Sequence, residues 1–501
     1  MTIAGVPFVI IGRTRAISWG VTNAMLDDAD YYVEMVDSLD HPSRVRVRDQ
    51  WVPIETYRDT ISVKGDRSVV LTSYWTPHGP IINRVEPAAP LYGQLLSFRW
   101  TGSEPSADAR TFYLLNRATT WREFKRALSY FNTPSQNFVY ADTSGTIGYQ
   151  LAGKVPVRPA SQATVPVPGW TEGYEWRGFV RTELLPSVVN PTQGFLATAN
   201  NRIASDAYPY HLSSYWEPDW RVRRITELLT EGGPFTSEDM KSIQRDVLSV
   251  HARDLVPLIV AAFDSIEVSD PSLKDCLTYF RNWTYDMHER DVATSIFHAF
   301  ITAAIRNTFS DELGGEAFRL YDTLATPPLL AITKALHDSS SVWFDRIDTA
   351  PVEGRDDIIR TSLKDAVRFL KNVRGDDIKE WTWGSLHQAE FQHLFGENAL
   401  LRPIFNEGPF PTAGSHSTVN NGYYRLDQPF VNDVGPAMRM VFDMADSTGY
   451  DSVLPPGQSG QVFHQHYDDQ VTLWLTAGTK RILLLEQDIR RAGYHRLTLQ
   501  P

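Results

Sequence analysis

The 501-residue sequence contains a single cysteine, Cys276. One thiol excludes an intrachain disulfide and the cysteine clusters that hold structural zinc or iron–sulfur centres. Long apolar runs are also missing. The stretch VPFVII at residues 6–11 is far too short to cross a bilayer, and no basic leader of a signal peptide precedes it. The sequence therefore predicts neither a membrane span nor an export signal.

The charge balance excludes another class of partner. Sixty acidic and 48 basic residues give a formal net charge of −12, and without a polybasic run such a chain offers no attractive field to nucleic acid. No glycine-rich phosphate loop or dinucleotide fingerprint occurs either. Hydrophobic residues make up 42% of the chain, which is enough for an ordinary globular core.

The hydrophobic pattern divides the chain into three stretches. Residues 1–218 consist mostly of β-branched and aromatic runs that are typical of strands. Residues 219–375 space their apolar residues by three and four, which predicts a mainly helical insertion. Residues 376–501 return to strand and turn patterns. Strands on both sides of a helical block favour one α+β core with an insertion.

Particular segments sharpen these predictions. The stretch QNFVYADTSGTIGYQLAG, residues 136–153, predicts a β-hairpin around a turn at 142–145. A helix is predicted to start after Thr236 or Ser237, because a cap-forming residue is followed there by acidic residues. The run QVTLWLTA at residues 470–477 is typical of a strand.

Two adjacent asparagines, Asn200 and Asn201, follow the extended run GFLATA. Asparagine often forms turns, because it tolerates left-handed backbone geometry and bonds its own backbone. A side-chain amide at a strand end can also donate a hydrogen bond to an oxyanion, as amide hydrolysis requires when the carbonyl carbon becomes tetrahedral. The residues alone leave both interpretations open.

Charged clusters allow similar alternatives. Arg221 begins a helical pattern in which arginines usually form a solvated face, although a guanidinium can also order an active-site amide. Asp27, Asp28, Asp30 and Glu34 form either an exposed acidic loop or a hard-cation site, since closely spaced carboxylates suit calcium. A weaker metal pattern is given by His464, His466, Asp468 and Asp469 of FHQHYDDQ, because no glutamate or third histidine stands at a recognised spacing.

Taken in order, nine segments resemble the β-chain of the penicillin acylase (penicillin amidase) family of N-terminal-nucleophile hydrolases. Together they span nearly the whole sequence, and their number and order make the resemblance specific. They are PFVIIGRTRAISWGVTNAMLDDADYYVE, GTIGYQLAGKVPVR, PGW with EWRGF, LP with NPTQGFLATANNR, WRVRRITELL, WTWGSLHQAEFQHLFG, SHSTVN, PAMRMVFDM, and GQSG with HYDDQ.

This resemblance implies an α+β fold, a four-layer αββα sandwich of the N-terminal-nucleophile hydrolase type carrying a large helical insertion. It implies hydrolysis of the amide between an acyl group and an amine, as in penicillins or N-acyl-homoserine lactones, without an organic cofactor. In the family an N-terminal serine attacks the carbonyl and its own α-amine accepts the proton, since such an amine titrates near neutrality. Family members are typically exported and carry a separate α-chain from the same precursor.

The resemblance also assigns site residues. Asn200 aligns with the side-chain oxyanion donor, Asn23 with the residue whose backbone N–H is the second donor, and Arg221 with the arginine that orients the site.

A structural calcium ion is implied in the same way. Asp27 and Asp30 align with carboxylate ligands, and Ala29 and Ala163 with backbone-carbonyl ligands. Asp206 is the acid nearest to a further ligand position, although its offset differs from that of the family.

The family's catalytic serine belongs before VPFVIIG, and this sequence has none there. Thr2 is a poor substitute, because it aligns with the interior of a strand. Two explanations remain: a fragment of a precursor whose nucleophile lies upstream, or a catalytically inactive homologue that only binds acylated ligands. Retention of Asn200 and Arg221 favours the acylase, since a binding module needs no oxyanion donor.

Overall fold

In a computed structural model of the chain, the internal contacts separate two units, Met1–Glu217 and Pro218–Pro501. The structure describes residues 1–3, 5–86, 93–159, 164–493 and 498. Within these residues, no helix combines the length and apolar character needed to span a bilayer.

The first unit is mainly β-structure. Its strands are β1 (Gly12–Arg13), β2 (Ile17–Asn23), β3 (Ala29–Glu34), β4 (Arg44–Val47), β5 (Gln50–Pro53), β6 (Glu55–Ile61), β7 (Val69–Thr76), β8 (Gly79–Pro80), β9 (Leu95–Trp100), β10 (Gln136–Asp142), β11 (Ile147–Ala152), β12 (Val167–Pro168) and β13 (Ser187–Val189). Two helices, α1 (Asp108–Leu115) and α2 (Trp121–Leu128), lie between β9 and β10.

The largest sheet of this unit has the order β1-β2-β10-β11-β13 and is antiparallel throughout. Side chains two residues apart on a strand share a face, so Phe138 and Tyr140 both point from β10 into the core beside Phe124 of α2. The β10–β11 hairpin is confirmed, and Gly145 provides the positive φ of its turn.

A second sheet has the order β12-β3-β9. On β3 the alternation places Asp30, Tyr32 and Glu34 on the buried side, so two carboxylates enter the interior of the unit. Buried carboxylates are costly unless they are paired or hydrogen-bonded. Their partners form the polar networks described below.

The second unit begins with a series of helices and ends with short strands. Its elements are α3 (Trp220–Glu231), α4 (Ser237–Arg245), α5 (Val250–Ala261), α6 (Pro271–Arg281), α7 (Val292–Tyr321), α8 (Thr326–His337), α9 (Arg355–Arg374), α10 (Trp383–Leu386), β14 (Gln388–Phe391), α11 (Arg402–Phe405), β15 (Glu407–Pro411), β16 (Arg439–Val441), β17 (Gly449–Val453), α12 (Val471–Leu475), β18 (Lys480–Leu483) and α13 (Glu486–Arg491).

The helical core of this unit forms around α7 and α9. Ile296, Phe300 and Ala304 of α7 recur every four residues and are fully or almost fully buried with Ile359 and Leu363 of α9, as expected for packed helix faces. α7 is interrupted at Gly314, where φ is 68° and ψ is 166°. That conformation suits glycine, which lacks the Cβ that disfavours a positive φ.

Two local predictions had opposite outcomes. The start of a helix at Thr236 is confirmed, because Thr236 and Asp239 form a reciprocal capping box at α4. The strand predicted for residues 470–477 is wrong, because Val471–Leu475 is a helix. Val471 and Trp474, three residues apart, are buried together, and so short an apolar run fits either period.

Candidate functional site in the first unit

Asn23 is the last residue of β2 and is exposed. In the antiparallel ladder it lies opposite Gln136, the first residue of β10. The Gln136 side-chain nitrogen Nε2 donates a hydrogen bond of 2.9 Å to Asn23 Oδ1. The neighbouring strand therefore holds the Asn23 side chain where β2 ends.

Asn200 lies far from β2 in sequence but contacts the end of this strand. Its φ of 65° lies in the left-handed region, which asparagine adopts more readily than most residues. Its side-chain Nδ2 donates to the backbone oxygen of Asn23 at 3.0 Å, and its own carbonyl accepts from the backbone N–H of Glu217 at 3.2 Å. One residue thus forms the turn and directs an amide at Asn23.

A second amide supports the same peptide group. Asn137 is completely buried, and its Nδ2 lies 3.3 Å from the Asn23 oxygen and 3.1 Å from Thr22 Oγ1. The hydroxyl of Tyr149 donates to Asn137 Oδ1 at 2.7 Å, and the hydroxyls of Thr22 and Thr198 lie 2.9 Å apart. Two donors on one carbonyl oxygen fix the peptide plane at the end of β2.

Sequence reasoning did not single out Gln136, Asn137 or Tyr149. The available signal was the pair QN at the start of a strand that is otherwise apolar and aromatic, QNFVYAD. A buried amide is costly unless it is hydrogen-bonded, so such a pair indicates a polar network. The partners of that network depend on pairing between β2 and β10, which one sequence does not specify.

Arg221 lies in α3 of the second unit, next to two arginines that form ion pairs. Arg223 Nη1 lies 2.6 Å from Asp254, and Arg224 Nη2 lies 2.7 Å from Asp246. These two arginines connect α3 to its neighbours in that unit. Arg221 is the member of the cluster that the family resemblance selects.

The electrostatic surroundings of Arg221 include His416. Burial lowers the pKa of His416 to about 3, and His387 and the charge of Arg221 act in the same direction. A buried histidine with so low a pKa is neutral at pH 7. The guanidinium of Arg221 therefore stands near an uncharged imidazole. Its relationship to Asn23 and Asn200 stays a prediction.

The predicted calcium ligands Asp27, Ala29 and Asp30 surround one side chain, Arg158. Arg158 Nε donates to Asp30 Oδ2 at 2.8 Å, and Nη2 lies 2.9 Å from the Asp27 carbonyl oxygen and 3.5 Å from that of Ala29. Trp176 Nε1 donates to the same Asp30 oxygen. The other oxygen, Asp30 Oδ1, is buried and has no hydrogen-bond partner within the described residues.

The remaining predicted ligands are Asp206 and Ala163. The side chain of Asp206 is 95% exposed and pairs with Arg202, so it is not part of the Asp27–Asp30 group, and Ala163 falls outside the described residues. Over the ranges that the structure describes, no three His, Cys, Asp or Glu side chains form a group suited to a metal ion. The candidate metal ligands that remain are the carboxylates of Asp27 and Asp30 and the neighbouring backbone carbonyl oxygens.

A buried ionic network includes Glu34, which lies on the same strand as Asp30. His78 is stacked on Tyr32, with ring centroids 4.1 Å apart, and bonds Glu34 at 2.9 Å through Nδ1 and Glu175 at 2.8 Å through Nε2. Arg99 pairs with the other oxygen of Glu175 at 2.9 Å. Burial by itself would lower the pKa of His78, but its bonds to Glu175 and Glu34 raise it to about 9.

Comparison with known proteins gives this geometry a context. The sequence profile of the penicillin amidase family matches residues 1–491. The chain is 29% identical to an acyl-homoserine lactone acylase QuiP from Pseudomonas aeruginosa, over all of this chain and 63% of that protein. It is 27% identical to a penicillin acylase 2 proenzyme from Pseudomonas sp. strain SE83, over 95% of this chain and 60% of that protein.

The fold is also similar to that of a solved structure. A thermostable penicillin G acylase from Alcaligenes faecalis superposes with a TM-score of 0.72, covering all of this chain and 91% of the other, at 21% identity. That likeness concerns the arrangement of mixed helices and sheets. The chain spans about three fifths of the length of the curated relatives it matches.

Proposed function

This chain belongs to the penicillin amidase family over residues 1–491, and on that premise we propose that it is part of an acylase. The proposed reaction is hydrolysis of the amide between an acyl group and an amine, as in penicillins or N-acyl-homoserine lactones. The observation that carries the proposal is the 3.0 Å contact between Asn200 Nδ2 and the Asn23 carbonyl oxygen.

This contact supports an oxyanion site because of what an asparagine amide offers. Its nitrogen carries two hydrogens. The bond to Asn23 fixes the plane of the Asn200 amide, and in the proposed mechanism the second hydrogen is directed at the substrate oxygen. The backbone N–H of Asn23 is the other proposed donor, and it lies one peptide group before the carbonyl oxygen that Asn200 and Asn137 bind.

Such preorganised donors act on the charge that develops when the carbonyl carbon becomes tetrahedral. Removing one typically lowers turnover by about 10²–10³-fold. The proposed nucleophile is a serine that precedes Met1 in the precursor, with its α-amine as base. Without that serine the 501 residues would bind substrate but not cleave it.

Arg221 has a positioning role in this proposal. A guanidinium stays protonated at any working pH and donates in a fixed planar geometry, so it can orient an amide without taking part in proton transfer.

We also propose the family's four-layer αββα arrangement and an accompanying α-chain from the same precursor. The antiparallel sheet β1-β2-β10-β11-β13 with α1 and α2 against one face supports one sheet layer and one helical layer. The curated relatives exceed the chain in length, which leaves room for an α-chain.

A structural calcium ion fits part of the donor set. Asp27, Asp30 and the Ala29 carbonyl supply the oxygen ligands that calcium prefers, and the buried, unpartnered Oδ1 of Asp30 is an oxygen that a cation would satisfy. The ion would neutralise charge that Arg158 balances only in part. The exposed Asp206 has no place in this set.

The test is hydrolysis by the whole gene product that contains this chain, as cells make it. Incubation with N-octanoyl-homoserine lactone and with penicillin G, followed by mass spectrometry, is expected to release the free acid and the free amine from at least one of them. Binding of both compounds without release of either acid would instead favour the inactive homologue.

A further inference from the structure

The helical part of the second unit contains a cavity of about 710 Å³ between α7, α9 and the segment 426–430. That volume lies in the range of small-molecule sites, about 300–1,000 Å³. Part of its wall is apolar, formed by Ala303, Phe369, Leu426 and Phe430. The rest is charged and contains both arginine and aspartate.

The break in α7 brings these charges together. Arg306 precedes Gly314 and Arg319 follows it, and in a straight helix their separation of 13 positions would span about 20 Å. The positive φ at Gly314 interrupts the helix, and both arginines line the same cavity with Asp322. The interruption at Gly314 therefore leaves Arg306 and Arg319 on the lining of one cavity.

These two arginines differ from a third arginine that lines the same cavity. Arg368, which also lines the cavity, is neutralised by Asp365 at 2.8 Å. Within the described residues, Arg306 and Arg319 make neither a hydrogen bond nor an ion pair of 4 Å or less. A concave surface with two unpaired guanidinium groups suits a carboxylate, because that geometry permits paired N–H···O bonds.

Asp322 provides the complementary charge. Its Oδ1 is buried and accepts no hydrogen bond within the described residues. Burial raises the pKa of Asp322 and nearby Asp427 adds to this, while Arg306 and Arg319 oppose it. A buried acceptor without a donor is costly, and a cationic donor placed beside it would satisfy the oxygen and favour the ionised carboxylate.

We propose that this cavity binds an α-amino acid with an apolar side chain. The carboxylate would lie between Arg306 and Arg319, the ammonium group against Asp322, and the side chain on Phe369 and Leu426. An α-amino acid carries both charges in one small molecule, and Arg306, Arg319 and Asp322 line one cavity. A fatty acid would leave Asp322 unsatisfied, and an amine would leave the arginines unsatisfied.

L-Phenylalanine is a suitable probe, because two close analogues each lack one of its charges. 3-Phenylpropanoate lacks the ammonium group and 2-phenylethylamine lacks the carboxylate. Isothermal titration of the whole gene product is expected to show binding of L-phenylalanine at least tenfold tighter than that of either analogue. Equal affinity for 3-phenylpropanoate, or no binding of the amino acid, would overturn the proposal.

Variants locate the binding. The double substitution Arg306→Gln with Arg319→Gln is expected to weaken L-phenylalanine binding at least tenfold. A control pair with the same charge change, Arg281→Gln with Arg374→Gln, alters exposed arginines outside the cavity and should leave it unchanged. Equal affinities in the two double variants, both with wild-type thermal midpoints, would contradict a site at this cavity.

A third variant tests recognition of the ammonium group separately from that of the carboxylate. Asp322→Asn is expected to weaken binding of L-phenylalanine but not of 3-phenylpropanoate, because only the former carries the ammonium group. A parallel loss for both compounds would mean that Asp322 supports the fold of the cavity and does not contact the ligand, and would refute its assigned role.

Discussion

Asn200 donates a hydrogen bond from its side-chain amide to the backbone oxygen of Asn23 over 3.0 Å, across 177 positions of sequence. The contact joins a left-handed loop residue to the last residue of a central strand. A loop residue in a sparsely populated conformation, with its side chain directed at a strand end, is typical of functional sites. This relationship is the basis of the role proposed for Asn200.

The backbone of Asn200 determines which substitution tests its side chain. We expect Asn200→Ala to be less stable than Asn200→Gly by about 1–2 kcal/mol, because alanine is disfavoured at φ 65° and glycine is not. Urea unfolding of both variants measures the difference. Equal stability would mean that the loop does not hold this residue in the left-handed region.

The buried ionic network of His78, Glu34 and Glu175 predicts a pH dependence of stability. The pKa of His78 is raised from 6.5 to about 9 in the folded protein, so protonated His78 stabilises the fold below pH 6.5 and this stabilisation is lost as the pH rises toward 9. We expect the free energy of unfolding to fall by about 1–3 kcal/mol across that window.

A matched pair of variants isolates that effect. In His78→Gln the loss between pH 6.5 and 9 should disappear, whereas His41→Gln, which changes an exposed histidine, should keep it. Urea midpoints at several pH values provide the measurement. A wild-type midpoint that rises from pH 6.5 to 9 would contradict a stabilising role for protonated His78.

Calcium removal tests the Asp27–Asp30 group. If Asp27, Ala29 and Asp30 hold calcium, EDTA should lower the thermal midpoint by several degrees, since a ligand that binds only the folded state stabilises it. Asp30→Asn should abolish the response to EDTA, while Asp206→Asn, at a side chain that is 95% exposed, should retain it. A protein that contains no calcium by elemental analysis and ignores EDTA would contradict this site.

The single thiol should be inert in the native protein. Cys276 is completely buried in the helical core, and burial raises its pKa to about 12. Because the thiolate is the reactive form, Ellman's reagent should modify no cysteine in buffer and one after denaturation in guanidinium chloride. Rapid stoichiometric reaction without denaturant would show that the helical core opens readily.

Strong local signals in the sequence predict their elements well. The hairpin of residues 136–153 and the cap at Thr236 are both present, because turn and cap residues act over a few positions. Local sequence patterns do not distinguish short strands from short helices. The pattern of residues 1–218 indicates strands, yet residues 6–11 form no strand and the short helices α1 and α2 lie within this stretch.

The candidate site shows a similar limit. Family resemblance selects Asn23 and Asn200, but their contact depends on a loop that returns to β2. Asn137 and Tyr149, which complete the network, lie on strands whose pairing partners a single sequence does not specify. Arg158 stands among the predicted calcium ligands, although its position 128 residues from Asp30 gives no sign of this.

Steady-state hydrolysis by the whole gene product carrying Asn200→Gly tests the oxyanion donor most directly, because glycine keeps the left-handed backbone and removes only the amide. We predict that kcat falls by about 10²–10³-fold while the thermal midpoint stays near that of the wild type, and that Asn201→Gly keeps most of its activity. A kcat for Asn200→Gly within a few-fold of the wild-type value would contradict the proposed role of this residue.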